Sequence, residues 1–191
     1  MNYSKTKKIV GMGLFCAITV VLQYLGSFIK FGTFSISLVL VPIVIASALY
    51  GPLCGAFLGL VFGITVLFTG DASLFMAYKP VETILVVLLK GTLAGYVSGI
   101  VYQQFAKKNE KVAGILSAIS CPVVNTGIFI IACIIFYQPV IEQVAISNNY
   151  TGNIISYIMF AFVGLNFIGE LLINCLLANT IVRLIKEGKR D

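Results

Sequence analysis

Apolar runs of 17 residues or more recur along the chain, separated by short polar stretches. A helix of that length crosses the roughly 30 Å hydrocarbon core of a bilayer, so the chain reads as a polytopic membrane protein. Charged residues make up 10% of its 191 positions and hydrophobic ones 59%, where soluble domains carry about 25% charge. Apolar runs bounded by turn signals place spans at 9–29, 34–50, 53–69, 81–101, 112–137 and 154–183. That predicts an all-α fold of six transmembrane helices in a single domain over 1–191. The second and third spans are joined by YGPL, a tight Gly-Pro turn. The last is about 45 Å long at about 1.5 Å per residue, so it must tilt, kink or project beyond the bilayer. The opening MNYSKTKK leads into an apolar run without an A-x-A site and long enough to span, so that run is expected to stay as a helix.

Charge placement supplies an orientation. Ten of the thirteen basic residues (Lys5, Lys7, Lys8, Lys107, Lys108, Lys111, Arg183, Lys186, Lys189 and Arg190) fall in the N-terminus, the link between the fourth and fifth spans, or the C-terminus. An even number of spans with this bias puts both termini in the cytoplasm. The net charge of +6 therefore reports topology, and nucleic acid is not an expected partner. Segments 70–80 (GDASLFMAYKP) and 138–153 (QPVIEQVAISNNYTGN) read as the longest outward loops, neither helical nor tight hairpins. They are candidate lids over an outward-facing cavity.

Small residues recur every four positions: Gly51, Gly55, Gly59 and Gly63 in the third span, Gly91, Gly95 and Gly99 in the fourth. Positions i and i+4 share a helix face, and a face without side chains lets two backbones approach closely. Internal packing of these two spans is the expectation. Gly13 with Ala17 makes a shorter pair in the first span, able to dock inside the bundle or on another membrane protein. The five cysteines form no C-x-x-C pair, and the chain has no histidine. Buried cysteine acts as a small hydrophobe, and no metal site is expected.

Against this apolar background a few polar residues stand out. Lys90 lies near the middle of ETILVVLLKGTLAGYVSG (82–99), where a lysine costs about 2.5–3.5 kcal/mol to insert. Asn166, Glu170 and Asn174 are spaced four apart in the last span, and Asn125 follows Pro122 in the fifth. Lys90 comes about 14 Å below the outer end of its span, and Asn125 and Asn166 about 18 Å below theirs. These depths allow one chamber shared by the last three spans. Intramembrane polar groups face the bundle interior and pair. Glu170, the only acid well inside a span, is the natural partner for Lys90. A substrate carrying an anionic or carbonyl group would meet Lys90 there too, and Lys79 beside Pro80 is a second cation suited to a carboxylate.

The chain has no G-x-x-x-x-G-K-[ST] loop, H-E-x-x-H or G-x-S-x-G sequence, so neither P-loop ATP hydrolysis nor hydrolytic catalysis is expected of it. No catalytic residues are assigned. Nor do residues 1–101 and 102–191 show the inverted repeat of many secondary carriers. An autonomous small channel or carrier working as an oligomer is the alternative to a subunit of a larger transporter.

Taken together, length, topology, the two outer segments and the small-residue first span resemble the substrate-binding S component of an energy-coupling-factor (ECF) vitamin transporter. GLFCAI (13–18) is similar to the family's alanine-rich docking motif, with Gly13 at the first alanine position and Ala17 at the second. LVPIVIASALYGPLCGAFLGLVFG (40–63) is similar to the second helix, turn and third helix of many S components, and CPVVNTGIF (121–129) resembles the fifth helix in part of the family. The resemblance implies a multi-pass protein of the bacterial plasma membrane, embedded in lipid, that binds a vitamin from outside. It also implies partners: a transmembrane coupling subunit, docked through the first helix, and two ATPase subunits. ATP is then used by the partners only, and this chain needs no cofactor of its own. The chain has no tryptophan, which counts against the thiamine and biotin types, and the ELIKN-like stretch of the riboflavin type is missing. Lys79, Lys90, Asn125, Asn166 and Glu170 suit a small hydroxylated, amide-bearing acid. Pantothenate is the first expectation, with pyridoxine, folate, cobalamin and queuosine-type substrates open.

Overall fold

A computed structural model describes residues 5–28, 30–31, 34–35 and 38–188. The described chain is helical apart from one short antiparallel ladder, in which Lys30 pairs with Ser35 and Phe31 with Phe34. The helices are α1 (Lys5–Phe28), α2 (Leu40–Tyr50), α3 (Pro52–Thr69), α4 (Ser73–Tyr78), α5 (Pro80–Ala106), α6 (Glu110–Phe136), α7 (Gln138–Ser147), α8 (Ile154–Ser156) and α9 (Gly164–Gly188). Residues Tyr157–Phe162 form a π-helical link into α9. Among the described residues four helices (α1, α3, α5 and α6) are long and apolar enough to cross a membrane. A fifth span results if the two halves of α9, bent by 52° between Leu177 and Thr180, count as one.

Three expectations change. The second span does not run over 34–50: its helix starts at Leu40, because Phe34–Ser35 is drawn into the ladder. Gly, Thr and Ser in FGTFSIS are weak helix formers, and a pairing strand satisfies the backbone instead. The last span is not one helix over 154–183; it is interrupted by the π-helical turn and by the bend. Segments 70–80 and 138–153 are not helix-free, since they carry α4 and α7. Pro139 in the first turn of α7 presets its φ, and α7 seats Ile141 and Ala145 in the core.

At 11 residues, α2 is about 16 Å long, shorter than the roughly 30 Å hydrocarbon core of a bilayer. It is the most enclosed element, with every residue from Pro42 to Ala48 buried. Gly51 then turns the chain at φ +98°, a conformation that favours glycine, and Pro52 starts α3. The glycine stripes do pack α3 against α5. A Cβ on Gly55 would strike the Gly95 carbonyl, one on Gly59 the Gly91 carbonyl, and one on Gly63 would come within 2.9 Å of the Val87 carbonyl. Hydroxyls secure α5 to α6 lower down, where Ser117 Oγ donates to the Ser98 carbonyl at 2.9 Å and the two Oγ atoms lie 2.8 Å apart. Gly59→Ala is therefore expected to lower the unfolding free energy by about 1–3 kcal/mol through overpacking. Gly13→Ala, whose Cβ meets nothing within 4 Å, should be neutral. Thermal unfolding of the two variants in detergent checks the contrast, and equal midpoints would contradict it.

Two buried apolar clusters organise the bundle. The larger centres on α2, with Leu58 and Phe62 of α3, Val87 and Ala94 of α5, and Ala118 and Cys121 of α6. The smaller gathers Phe75, Cys133, Tyr137, Ile141 and Ile158 toward the other end. A cavity lies between them, taking Phe62 and Val87 from the first and Phe75 and Tyr137 from the second.

Candidate functional site

The cavity is where the polar residues converge. Lys90 of α5, Asn125 and Thr126 of α6, and Glu170 of α9 line it, with Thr83 of α5 and Tyr137 just beyond α6. Gln23 enters from α1 and Asp71 from the turn between α3 and α4. Glu170 is 1% exposed and Asn125 4%. Glu170 and Asp71 are opposite charges within electrostatic reach of Lys90. Removing one partner from such a buried set costs several kcal/mol, because the other is left uncompensated.

Aromatic rings form one wall. Phe75 packs on Tyr137 with centroids 4.6 Å apart and on Phe129 at 5.4 Å, edge to face. The Lys90 ammonium sits 5.0 Å from the Phe129 centroid, a cation–π distance that stabilises a charge out of water. At the outer end the Thr83 hydroxyl donates to the Lys79 carbonyl at 2.7 Å. Its single proton is thereby used, so the Tyr137 hydroxyl, 3.0 Å from Thr83 Oγ1, donates to it.

A second polar group ties α1 to the rim. Gln23 Nε2 donates to Asp71 Oδ2 at 2.7 Å and reaches Thr69 Oγ1 at 3.4 Å. Thr69 Oγ1 in turn lies 3.2 Å from the same carboxylate oxygen. By contrast, Asn125 Oδ1 is buried without a hydrogen-bond partner among the described residues. An unmet acceptor costs about 1–3 kcal/mol, and this one lies in the cavity wall, where a ligand donor would satisfy it. Asn174 lies one turn deeper, its Nδ2 donating to the Glu170 carbonyl at 2.9 Å. The cavity measures about 70 Å³, below the roughly 300 Å³ where small-molecule sites begin, so a larger guest requires the lining side chains to move apart.

The structure brings together three of the expected site residues: Lys90, Asn125 and Glu170. The side chain of Asn166 lies outside the described residues. Lys79 is not in the cavity lining; its ammonium lies 5.9 Å from the Tyr78 ring centroid and 5.8 Å from that of Phe136. Gly13 and Ala17 are exposed on the outer face of α1. Of the 18 most apolar residues of that helix only 17% are buried, against 33–39% for α3, α5 and α6. Gln23, Asp71, Thr83 and Tyr137 were not foreseen as site residues. Gln23 had a readable signal, a lone amide inside an apolar run; Asp71 and Tyr137 sit beyond helix ends, where no periodicity gives their direction.

Comparison with known proteins follows the same line. The family model described as "ECF transporter, substrate-specific component" matches residues 7–182. The pantothenic acid transporter PanT of Lactococcus lactis subsp. cremoris (strain MG1363) is 24% identical over 208 residues, covering the whole of both chains. A solved structure of ThiT from Listeria monocytogenes superposes with a TM-score of 0.69 at 20% identity, over 95% of this chain and 98% of that one. At that identity the likeness speaks for the fold alone.

Proposed function

Since the chain belongs to the substrate-specific components of ECF transporters, we propose that it captures pantothenate outside the cell and delivers it through a shared ATP-driven module. One observation carries this: in a chain of that family, Lys90, Asn125 and Glu170 line one largely buried cavity. Lys90 receives the vitamin's carboxylate. Asn125 Oδ1 accepts from a hydroxyl or from the amide N–H, and the aromatic wall of Phe75, Phe129 and Tyr137 covers the aliphatic part. Asn166, one turn before Glu170, adds an amide, and Lys79 adds positive charge at the outer end. Support for pantothenate among the vitamins comes from the full-length relative named for that acid and from the chemistry of these side chains.

The rest of the transporter follows from the family. Gly13 and Ala17 dock on a transmembrane coupling subunit, which two ATPase subunits drive. Charge placement puts both termini in the cytoplasm of a bacterial cell. Both termini on one side require six passes, so α2 makes a short crossing enclosed by its neighbours and α9 makes one bent span. The test is uptake of labelled pantothenate into proteoliposomes. Vesicles holding this chain together with the energising module and internal ATP should accumulate the label, and vesicles holding this chain alone should not. ATP-independent flux through this chain alone would favour an autonomous carrier and overturn the proposal.

A further inference from the structure

The charges in the cavity bear on how an acid can bind there. Among the described residues its lining carries one ammonium, Lys90, and two carboxylates, Glu170 and Asp71. Asp71 is half-buried at the rim, where it already accepts from Gln23 and Thr69. The interior proper therefore holds Lys90 and Glu170, one charge of each sign. Among the described residues, the other titratable groups packed around them are the Cys121 thiol near Glu170, the Cys133 thiol near Lys90, and the Tyr137 phenol with Glu82 beyond it. None of these is a cation. Lys79 lies over the rings of Tyr78 and Phe136, outside the lining. A carboxylate delivered to Lys90 would leave two desolvated anions sharing a single cation. Two such carboxylates do not both stay ionised; one takes a proton.

We propose that this site takes a monocarboxylate together with one proton, and that the proton resides on Glu170 in the complex. The step balances: the ligand carboxylate replaces the charge of Glu170 opposite Lys90, one proton comes from solvent, and the interior is neutral before and after. Protonation also converts Glu170 from an acceptor into a donor, in a cavity whose Asn125 Oδ1 lacks one among the described residues. The proposal rests on this cavity being the vitamin site, and its test separates the two.

Calorimetry of the purified full-length chain with pantothenate, in buffers of different ionisation enthalpy, counts the protons bound. Close to one proton per ligand is expected, and affinity should fall about tenfold per pH unit between pH 6.5 and 8.5, because binding consumes a proton that becomes scarcer. Panthenol, the neutral alcohol analogue, should take up none. Glu170→Gln, which imitates the protonated acid, should abolish uptake and flatten the pH profile; if that variant fails to fold, the wild-type proton count decides. Pantothenate binding without proton uptake overturns the proposal and leaves the substrate assignment standing. Uptake that persists in Glu170→Gln also overturns it, by placing the proton elsewhere. Should pantothenate not bind, the substrate assignment fails by itself, and the same titration with whatever carboxylate the purified protein releases decides the proton. An uncharged or cationic released ligand overturns the proposal.

Discussion

Lys90→Ala should weaken pantothenate binding by between about 30-fold and a few thousand-fold, the range for removing the buried cation that faces a ligand carboxylate. Two causes contribute: the ligand carboxylate loses its cation, and Glu170, 1% exposed, is left without the ammonium that compensates it. A double variant tells them apart. If Lys90 serves only to neutralise Glu170, then Lys90→Met with Glu170→Gln removes both charges together and restores stability and affinity. If Lys90 holds the ligand, the double variant recovers stability while binding stays weak. Calorimetric affinity and the unfolding midpoint of both single variants and the double give the answer. Wild-type affinity in the double variant would remove Lys90 from the site.

Replacing Gly13 and Ala17 together by leucine should reduce uptake to background while leaving the affinity of the isolated chain unchanged. Both positions are exposed, and a Cβ on Gly13 meets nothing within 4 Å, so the fold has room for the larger side chains. A small-residue face lets another helix approach closely, and leucines there would hold a partner off. The cavity is reached from the other face of the same helix through Gln23, which is buried and bonded to Asp71, so binding is insulated from the change. Co-purification with the energising module should fall together with uptake. Normal assembly and transport would show that the partner docks elsewhere.

What could be read from the residues alone divides along physical lines. The glycine stripes of α3 and α5 have one economical use, close backbone approach, and Gly59 against Gly91 and Gly55 against Gly95 do meet. Lys90, Asn125 and Glu170 were traceable because polar groups in lipid-facing sequence are costly enough that they must turn inward, and depth along a helix follows from counting residues. That logic weakens at helix ends. Lys79 can reach water or aromatic rings with equal ease, and here it lies over Tyr78 and Phe136. Short amphipathic helices such as Gln138–Ser147 were read as loop because polar residues interrupt the run. Packing of Ile141 and Ala145 against the neighbouring cluster makes the helix, and that partner is remote in sequence. The late start of α2 has the same origin: Phe34–Ser35 finds its pairing strand in Lys30–Phe31, an option a hydropathy window does not register.

Mass spectrometry of small molecules released from the purified protein decides whether the cavity holds a vitamin acid on Lys90, comparing wild type with Lys90→Ala after gentle extraction. A stoichiometric small carboxylic acid, pantothenate by mass and fragmentation, should be released from wild type and be lost or sharply reduced in the variant. A protein that carries no small molecule and binds none of the vitamins on titration would contradict it. So would a ligand retained equally by Lys90→Ala.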